Sequence, residues 1–280
     1  MRFPDRRISD SPRCPTRRPG DTHRSSQHED RRISMELPTV PALQSPPSTE
    51  VETRCPRHIG IVLDGNRRWA SRHGLKSAAD GHRTGFGKIP DILTWCAESG
   101  IHVVTLWMLS DDNVARRSAS ELEDLYAIHE SVINRLRRSD QWRLHHIGST
   151  DLLPEPIVRL LADAEEATRH NAGMLVNLAI GYGGRRDIVA AVRSLVEDVT
   201  KGLDVPVTEE ELSRRLSTAG QPEPEFIIRP SGEFRTSGFL LWQAARAELH
   251  FCEQLWPDFS REDLTEALQS FSHRQRRFGS

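Results

Sequence analysis

Three stretches of this 280-residue chain gather the side chains that phosphate chemistry needs. The first is Asp64-Gly65-Asn66-Arg67-Arg68-Trp69, an acid and a glycine turn followed by two arginines where a helix should open. Backbone N–H groups at a helix start point at an anion, and arginine forks add paired donors. Taken alone, Asp64-Gly65-Asn66 reads more readily as an ordinary strand-to-helix turn with Asp64 as the cap. The second stretch is Ser110-Asp111-Asp112-Asn113 followed by Arg116-Arg117, which is either another wall of the same site or a solvated loop. The third runs Arg229-Pro230-Ser231-Gly232-Glu233-Phe234-Arg235-Thr236-Ser237. Arg229, Arg235 and Ser237 can close on a diphosphate, because guanidinium forks match phosphate oxygens and glycine lets the backbone approach. A salt-bridged loop before a core helix fits that stretch equally well. Behind it, Phe239-Leu240-Leu241-Trp242 would suit an apolar ligand tail. Glu248 opens an apolar run, where a carboxylate is costly unless paired or on a metal.

Other chemistries fail on spacing. Gly81-His82-Arg83-Thr84-Gly85-Phe86-Gly87-Lys88 is one residue too long for a phosphate-binding loop, and Ile89 replaces its hydroxyl residue. Gly181-Tyr182-Gly183-Gly184-Arg185-Arg186 fits no nucleotide fingerprint and is either a tight turn or a ligand contact. His145-His146 reads as a strand pair, since no third metal ligand follows at a matching spacing. The four cysteines (Cys14, Cys55, Cys96, Cys252) form no C-x-x-C pair, which argues against a disulfide framework or structural zinc and suits a reducing cytoplasm. With 38 basic and 40 acidic residues the net charge is −2, so no global field favours nucleic acid and any anion site is local. No apolar run approaches the ~18 residues of a membrane span.

The elements that must position these groups alternate. Strand patterns fall at residues 58–64, 103–109, 144–148, 174–182, 225–229 and 248–252. Helical spacing links Leu122, Leu125, Tyr126, His129, Val132, Ile133 and Leu136 after a Ser118-x-x-Glu121 capping box. It recurs in Ile188, Val189, Val192, Leu195, Val196 and Val199, while Thr208-x-x-Glu211 and Ser260-x-x-Asp263 mark two more helix starts. This alternation predicts one α/β domain over residues 56–280, with a mainly parallel central sheet covered by helices. Ligands in such sheets sit outside the carboxyl ends of the strands, where the three stretches fall. Residues 1–55, rich in Pro, Ser and Arg, are expected to be a disordered extension without a secretory signal, and Met35 is an alternative start.

The run His58-Ile59-Gly60-Ile61-Val62-Leu63-Asp64-Gly65-Asn66-Arg67-Arg68-Trp69-Ala70 resembles the opening motif of the cis-prenyltransferases, the undecaprenyl diphosphate synthase family. The run Arg229-Pro230-Ser231-Gly232-Glu233-x-Arg235-x-Ser237-Gly238-Phe239-Leu240-Leu241-Trp242-Gln243, with Ala247-Glu248, resembles its closing motif. Residues 177–188, Trp256-Pro257-Asp258-Phe259 and Arg276-Arg277-Phe278-Gly279 are similar as well, so the likeness covers about residues 57–279. It implies a homodimeric, Mg²⁺-dependent enzyme that joins isopentenyl diphosphate to an allylic diphosphate with Z geometry. Under it, Asp64 holds Mg²⁺ and assists departure of the allylic diphosphate, and Asn113 serves proton removal. Gly65, Asn66, Arg67, Arg68, Trp69, His82 and Arg116 are expected at the allylic substrate, and Ser110 and Asp112 are expected to bind substrate as well. Arg229, Arg235, Thr236 and Ser237 are expected at isopentenyl diphosphate, and Glu248 of the other subunit would share the metal.

Three departures from the family pattern bear on the product. Ser110-Asp111-Asp112-Asn113-Val114 replaces Ser-Thr-Glu-Asn-Trp; residues 75–80 are one longer and carry Lys76 without the usual arginine; and Pro230 replaces a threonine. The first two resemble the short-chain actinobacterial members that make (2Z,6E)-farnesyl diphosphate, with geranyl diphosphate as the expected primer. Alternation over residues 103–109 places Leu106 and Met108 on one face and Trp107 and Leu109 on the other. The resembling long-chain enzymes carry a small residue, often alanine, where Met108 stands, so the resemblance makes Met108 the expected chain-length residue, with core filler as the alternative. A medium- or long-chain polyprenyl synthase and a non-catalytic partner subunit are the alternatives. A cytoplasmic location, with peripheral membrane contact through the product, completes the expectation.

Overall fold

The computed structural model describes residues 55–273, so the expected N-terminal extension, Cys14, Met35 and residues 276–279 lie outside the described residues. Six apolar runs form strands: β1 (His58–Val62), β2 (Val103–Ser110), β3 (Trp142–Ile147), β4 (Met174–Tyr182), β5 (Phe226–Arg229) and β6 (Glu248–Phe251). They pair in the order β3-β4-β2-β1-β5-β6, every pair parallel. Parallel neighbours need long crossovers, and helices supply them. Between β1 and β2 lie α1 (Asn66–Arg72), α2 (Ala78–Gly87) and α3 (Ile89–Glu98); between β2 and β3 lie α4 (Asp111–Arg116) and α5 (Ala119–Leu136). The helix α6 (Glu155–Thr168) links β3 to β4, α7 (Gly184–Thr200) and α8 (Glu209–Ser213) precede β5, and α9 (Arg261–His273) follows β6. All three expected helix starts are capped: Ser118, Thr208 and Ser260 each accept a backbone N–H three residues on.

The two faces of the sheet are unequal. Ile59, Ile61, Val104, Leu106, Val176, Leu178, Phe226 and Ile228 face a large core completed by α2, α3, α5, α6 and α9. The opposite face holds a small cluster, in which Val62, Ile147, Ala179, Tyr182 and Ile227 meet Phe239 and Leu240. Phe239 and Leu240 of Phe239-Leu240-Leu241-Trp242 are therefore core, and none of the four lines the cavity at the carboxyl ends of the strands, where the apolar tail was expected. Phe239 and Leu240 are fully buried, and the Trp242 indole donates to Ser213 Oγ at 2.9 Å. His145 and His146 also have structural work. The His145 ring contacts Glu165 at 2.6 Å and the Ser217 carbonyl at 3.0 Å, and His146 contacts the Ile180 carbonyl at 2.9 Å.

One departure from simple alternation matters for the site. Trp107 pairs with Ala179, Leu109 with Ile180 and Ser110 with Tyr182, so Met108 is an extra residue on β2 and Gly181 an extra residue on β4. Two bulges thus cancel within three residues. The first one returns Leu109 to the large core beside Leu106 and Met108, while Trp107 alone turns to the other face and stacks on Phe239 at 5.1 Å. The expected pairing of Leu109 with Trp107 is corrected by a bulge that depends on β4 as much as on β2.

Candidate active site

The strand β1 sends the chain toward β2 on one side, while β5 docks on its other side. That reversal opens a crevice at the carboxyl ends of β1 and β5. A cavity of about 580 Å³ lies there, and its wall includes Asp64, Arg67, Arg68, His82, Met108, Asn113, Arg229 and Arg235. Six arginines (67, 68, 116, 117, 229, 235) face four acids (64, 111, 112, 233) around it, a local surplus of two positive charges in a chain that is net negative. The anion site is local, as the balance of charges requires.

Gly65 makes the turn after β1. It sits at φ +103°, and a Cβ there would come within 2.9 Å of Leu255, so only glycine serves. Helix α1 starts with no side-chain cap, which removes the reading of Asp64 as a helix cap. The Asp64 carboxylate goes elsewhere. Its Oδ2 accepts from Arg229 Nη2 at 2.8 Å, and Arg68 Nη2 stands 3.6 Å from Oδ1. Burial opposes ionisation of Asp64, but the hydrogen bond and charge of Arg229, with the charge of Arg68, outweigh it and hold the carboxyl below the ordinary aspartate range.

Arg229 is the most connected of these groups. Only 5% exposed, it donates to Asp64, to Ser237 Oγ at 2.8 Å and to the carbonyl of Arg235. It therefore ties the end of β1 to the loop after β5. Arg235 is 60% exposed and is free to reach a ligand while it contacts Glu233. Arg68 donates to the Ser231 carbonyl at 3.0 Å and stands 3.4 Å from Glu233, completing the bridge between the two motifs.

The remaining expected residues divide. Asn66 lines the cavity yet acts as a brace: it is 3% exposed, and its Nδ2 donates to the Leu63 carbonyl at 2.9 Å. Gly81 and Gly85 explain that brace. A Cβ on either would fall about 2 Å from an oxygen of Asn66, so the two glycines let α2 lie against α1. Their spacing in the sequence, which mimics a phosphate loop, serves helix packing. Ser110 caps α4 through Asn113 N at 3.0 Å and thereby presents Asp112 and Asn113 at the rim. Trp69 and Thr236 do not line the cavity. The Trp69 indole donates to Asp258 at 2.6 Å and stacks on His73, and Thr236 accepts a turn hydrogen bond from Phe239 N. Lys76 is exposed in the turn before α2 and is not on the wall.

Sequence reasoning missed Arg117, which the second stretch contained but the expected set omitted. Arg116 is 79% exposed beside Asp112, whereas Arg117 is 11% exposed, 3.2 Å from Glu121 and against His82. The adjacent charges looked equivalent until the start of α5 turned one inward. Of the two readings of the glycines after β4, the structure shows the turn, with Gly183 leading directly from β4 into α7. Gly183 clears space for Asp111, and Gly184 donates to the Gly238 carbonyl at 2.9 Å, docking the closing loop.

Among the described residues no three metal-ligating side chains converge. Asp64 is one carboxylate beside a basic cavity, which fits Mg²⁺: that ion keeps several waters and is held by one or two carboxylates plus substrate phosphates. Glu248 cannot join Asp64 within one chain. It pairs with Phe226, which pairs with Ile59, so it stands at the amino end of edge strand β6, away from the cavity.

Comparison with known proteins gives the same answer. The prenyltransferase family model of the undecaprenyl diphosphate synthases matches residues 62–279. The chain is 50% identical to a (2Z,6E)-farnesyl diphosphate synthase of Thermobifida fusca, over 80% of this chain and 90% of that protein. It is 43% identical to a short-chain Z-isoprenyl diphosphate synthase of Mycobacterium leprae, over 82% and 90%. A solved lavandulyl diphosphate synthase from Lavandula x intermedia, in complex with dimethylallyl diphosphate, superposes with a TM-score of 0.77 at 36% identity, covering 81% of this chain and 99% of that one. With its parallel sheet, its basic crevice and a family match over most of its length, the chain belongs to the undecaprenyl diphosphate synthase family of cis-prenyltransferases, which condense isopentenyl diphosphate with allylic diphosphates.

Proposed function

We propose that the chain is a short-chain, Mg²⁺-dependent cis-prenyltransferase that adds isopentenyl diphosphate to geranyl diphosphate and releases a product near fifteen carbons. Its transferase domain is residues 56–280, with 1–55 as an extension. The observation that supports this most is the contact of Asp64 with Arg229, 2.8 Å apart in a cavity that also presents Met108. One carboxylate among arginines suits a diphosphate leaving with its cation, which neutralises the charge that develops on the departing oxygens. Arg67, Arg68 and His82 hold the allylic diphosphate, and Arg235 and Ser237 hold the second one. The allylic C–O bond breaks, the isopentenyl double bond attacks C1, and a proton passes from C2 to the departed diphosphate beside Asn113.

Short products follow from Met108. It is 6% exposed and borders both the cavity and the large core, so it takes up volume that a growing chain would need. The (2Z,6E)-farnesyl product of the Thermobifida relative supports the same length. The intact Asp64 weighs against a non-catalytic partner subunit. We further assign a homodimer in which Glu248 serves the neighbouring site. Supporting it, Val189, Val192, Val196 and Val199 leave an apolar stripe exposed along α7, at 43–54% exposure. Among the described residues no helix is long and apolar enough to cross a membrane, in keeping with a cytoplasmic enzyme whose product alone meets lipid.

The test is incubation with labelled isopentenyl diphosphate, Mg²⁺ and each allylic primer in turn, with sizing of the products. A dominant fifteen-carbon product from geranyl diphosphate is expected. Products of fifty carbons or more would move the chain to the long-chain class, and no turnover with any primer would favour the partner-subunit reading.

A further inference from the structure

His82 is 6% exposed on the wall of the cavity, and Arg117 Nη1 lies 3.3 Å from its Nε2. A guanidinium only donates, so Nε2 must be the accepting nitrogen and the proton of the neutral ring must sit on Nδ1. An imidazolium would set N–H against N–H at this contact. Arg117 is itself fixed by Glu121 at 3.2 Å, and Glu121 also stands 3.8 Å from Arg67. The groups facing His82 from its packed neighbours are Arg67 of α1, Arg117 before α5, and Glu121 and His129 of α5; the last lies beyond Phe86. The one acid among them is engaged by two arginines. Burial, and then the charges of Arg117, His129 and Arg67, push the His82 pKa down to about 3. The Nδ1 atom has no partner within the protein.

We propose that Arg117 is a positioning residue that locks His82 as the neutral Nδ1–H tautomer, so that the ring brings no charge of its own to the wall of the allylic diphosphate site. This rests on the reading of the cavity as a diphosphate site. In this arrangement the protonation of His82 does not change across physiological pH, and the ring cannot compete for the proton released during condensation.

The experiment is ¹⁵N NMR of the full chain labelled at histidine, without substrate, with the His82 signals identified by their loss in His82→Gln. In the wild type at pH 6, Nδ1 should be protonated and Nε2 bare. Arg117→Met should mix the tautomers and raise the pH at which the ring protonates, and Arg117→Lys, which keeps a donor, should restore the wild-type pattern. In kinetics, Arg117→Met should raise the allylic KM roughly tenfold, with a smaller change in kcat. If Arg117→Met does not fold, Glu121→Gln, which loosens the hold on Arg117, should show the same mixing. A wild-type ring protonated on Nε2 or charged at pH 6, or a tautomer pattern unmoved in the folded variant, overturns the proposal. Titration with inorganic pyrophosphate separates the two readings: a locked tautomer with no pyrophosphate binding rejects the diphosphate site, and binding with an unlocked ring rejects the role of Arg117.

Discussion

On one bank of the cavity, the turn after β1 runs into α1 with a single left-handed residue, Gly65, and α1 is clamped against α2 at Gly81 and Gly85. On the other, residues 231–240 hold five left-handed residues (Ser231, Gly232, Ser237, Gly238 and Leu240), three of which are not glycine. Each such non-glycine residue costs on the order of 1–2 kcal/mol, and this segment has no ladder or helix of its own to offset the cost. Its anchors are Arg229, the backbone bonds from Ser231 N to the Gln254 carbonyl and from Gly232 N to the Cys252 carbonyl, the Gly184–Gly238 contact and the burial of Phe239 and Leu240. The first bank is set by close packing and the second by a few polar ties around one arginine. The wall built by α1 and α2 is thus rigid, while the loop after β5 is held at discrete points.

The largest break in this comparison is Asp64→Ala. It should lower kcat by orders of magnitude with circular dichroism unchanged, because the helix start does not use this side chain. Near-normal turnover with Mg²⁺ would remove Asp64 from the chemistry. Next come the two arginines of the second bank. Arg235→Ala removes an exposed fork and should raise the KM for isopentenyl diphosphate by roughly ten- to hundredfold, from about 1.5–3 kcal/mol, leaving stability unchanged. Arg229→Ala should raise the same KM and also lower Tm, since both banks lose their tie. Equal stability of the two variants would mean that Arg229 is not the anchor.

Acid should separate the banks. Burial first, then neighbouring charges, lower the pKa of His82 to about 3 and of His129 to about 4, and burial lowers His58 to about 4. The unfolded chain binds protons below the ordinary value near 6.5 and the folded chain does not, so stability is full above that pH and falls as it drops toward 4. These histidines lie in β1, α2 and α5, and residues 230–247 contain none. Amide exchange at pH 5 should therefore rise in α2 and α5 before it rises in the loop; the reverse order would break the assignment. A smaller effect is expected from packing. Gly85→Ala, whose Cβ would fall 2.0 Å from Asn66 Oδ1, should cost about 1–3 kcal/mol in denaturant melts. Gly232→Ala meets only the mobile end of Glu253 and should cost about 1 kcal/mol, from its φ of +70°. The smallest is Met108→Ala, expected to shift the product distribution to longer chains without loss of activity. An unchanged distribution in an active variant would leave Met108 as filler.

The first bank was largely legible in the sequence. Strand edges fell within two residues of those observed, and the serine and threonine caps of α5, α8 and α9 were visible because caps are local. What escaped was set by partners far along the chain. Asp64 and Arg229 are 165 residues apart, so their contact has no local trace. Trp69 looked like a ligand group by position and is turned away by Asp258, 189 residues on. Arg116 and Arg117 differ only in which way the first turn of α5 carries them. The bulge at Met108 belongs to the pairing with β4, and alternation within β2 alone cannot reveal it.

That bulge has a consequence for how such enzymes diverge. The offset introduced by Met108 is returned at Gly181, so Ser110 and Tyr182 are again in the register held by Trp107 and Ala179. A residue that the ladder skips can be exchanged for a larger or smaller one without re-indexing the strands on either side. The asparagine and arginines that follow keep their places whatever stands at position 108. A lineage can thus revise the size of the cavity beside Asn113 one substitution at a time, each intermediate still a working protein. The molecule separates a tunable part from a fixed one, and the seam between them is a single uncounted residue.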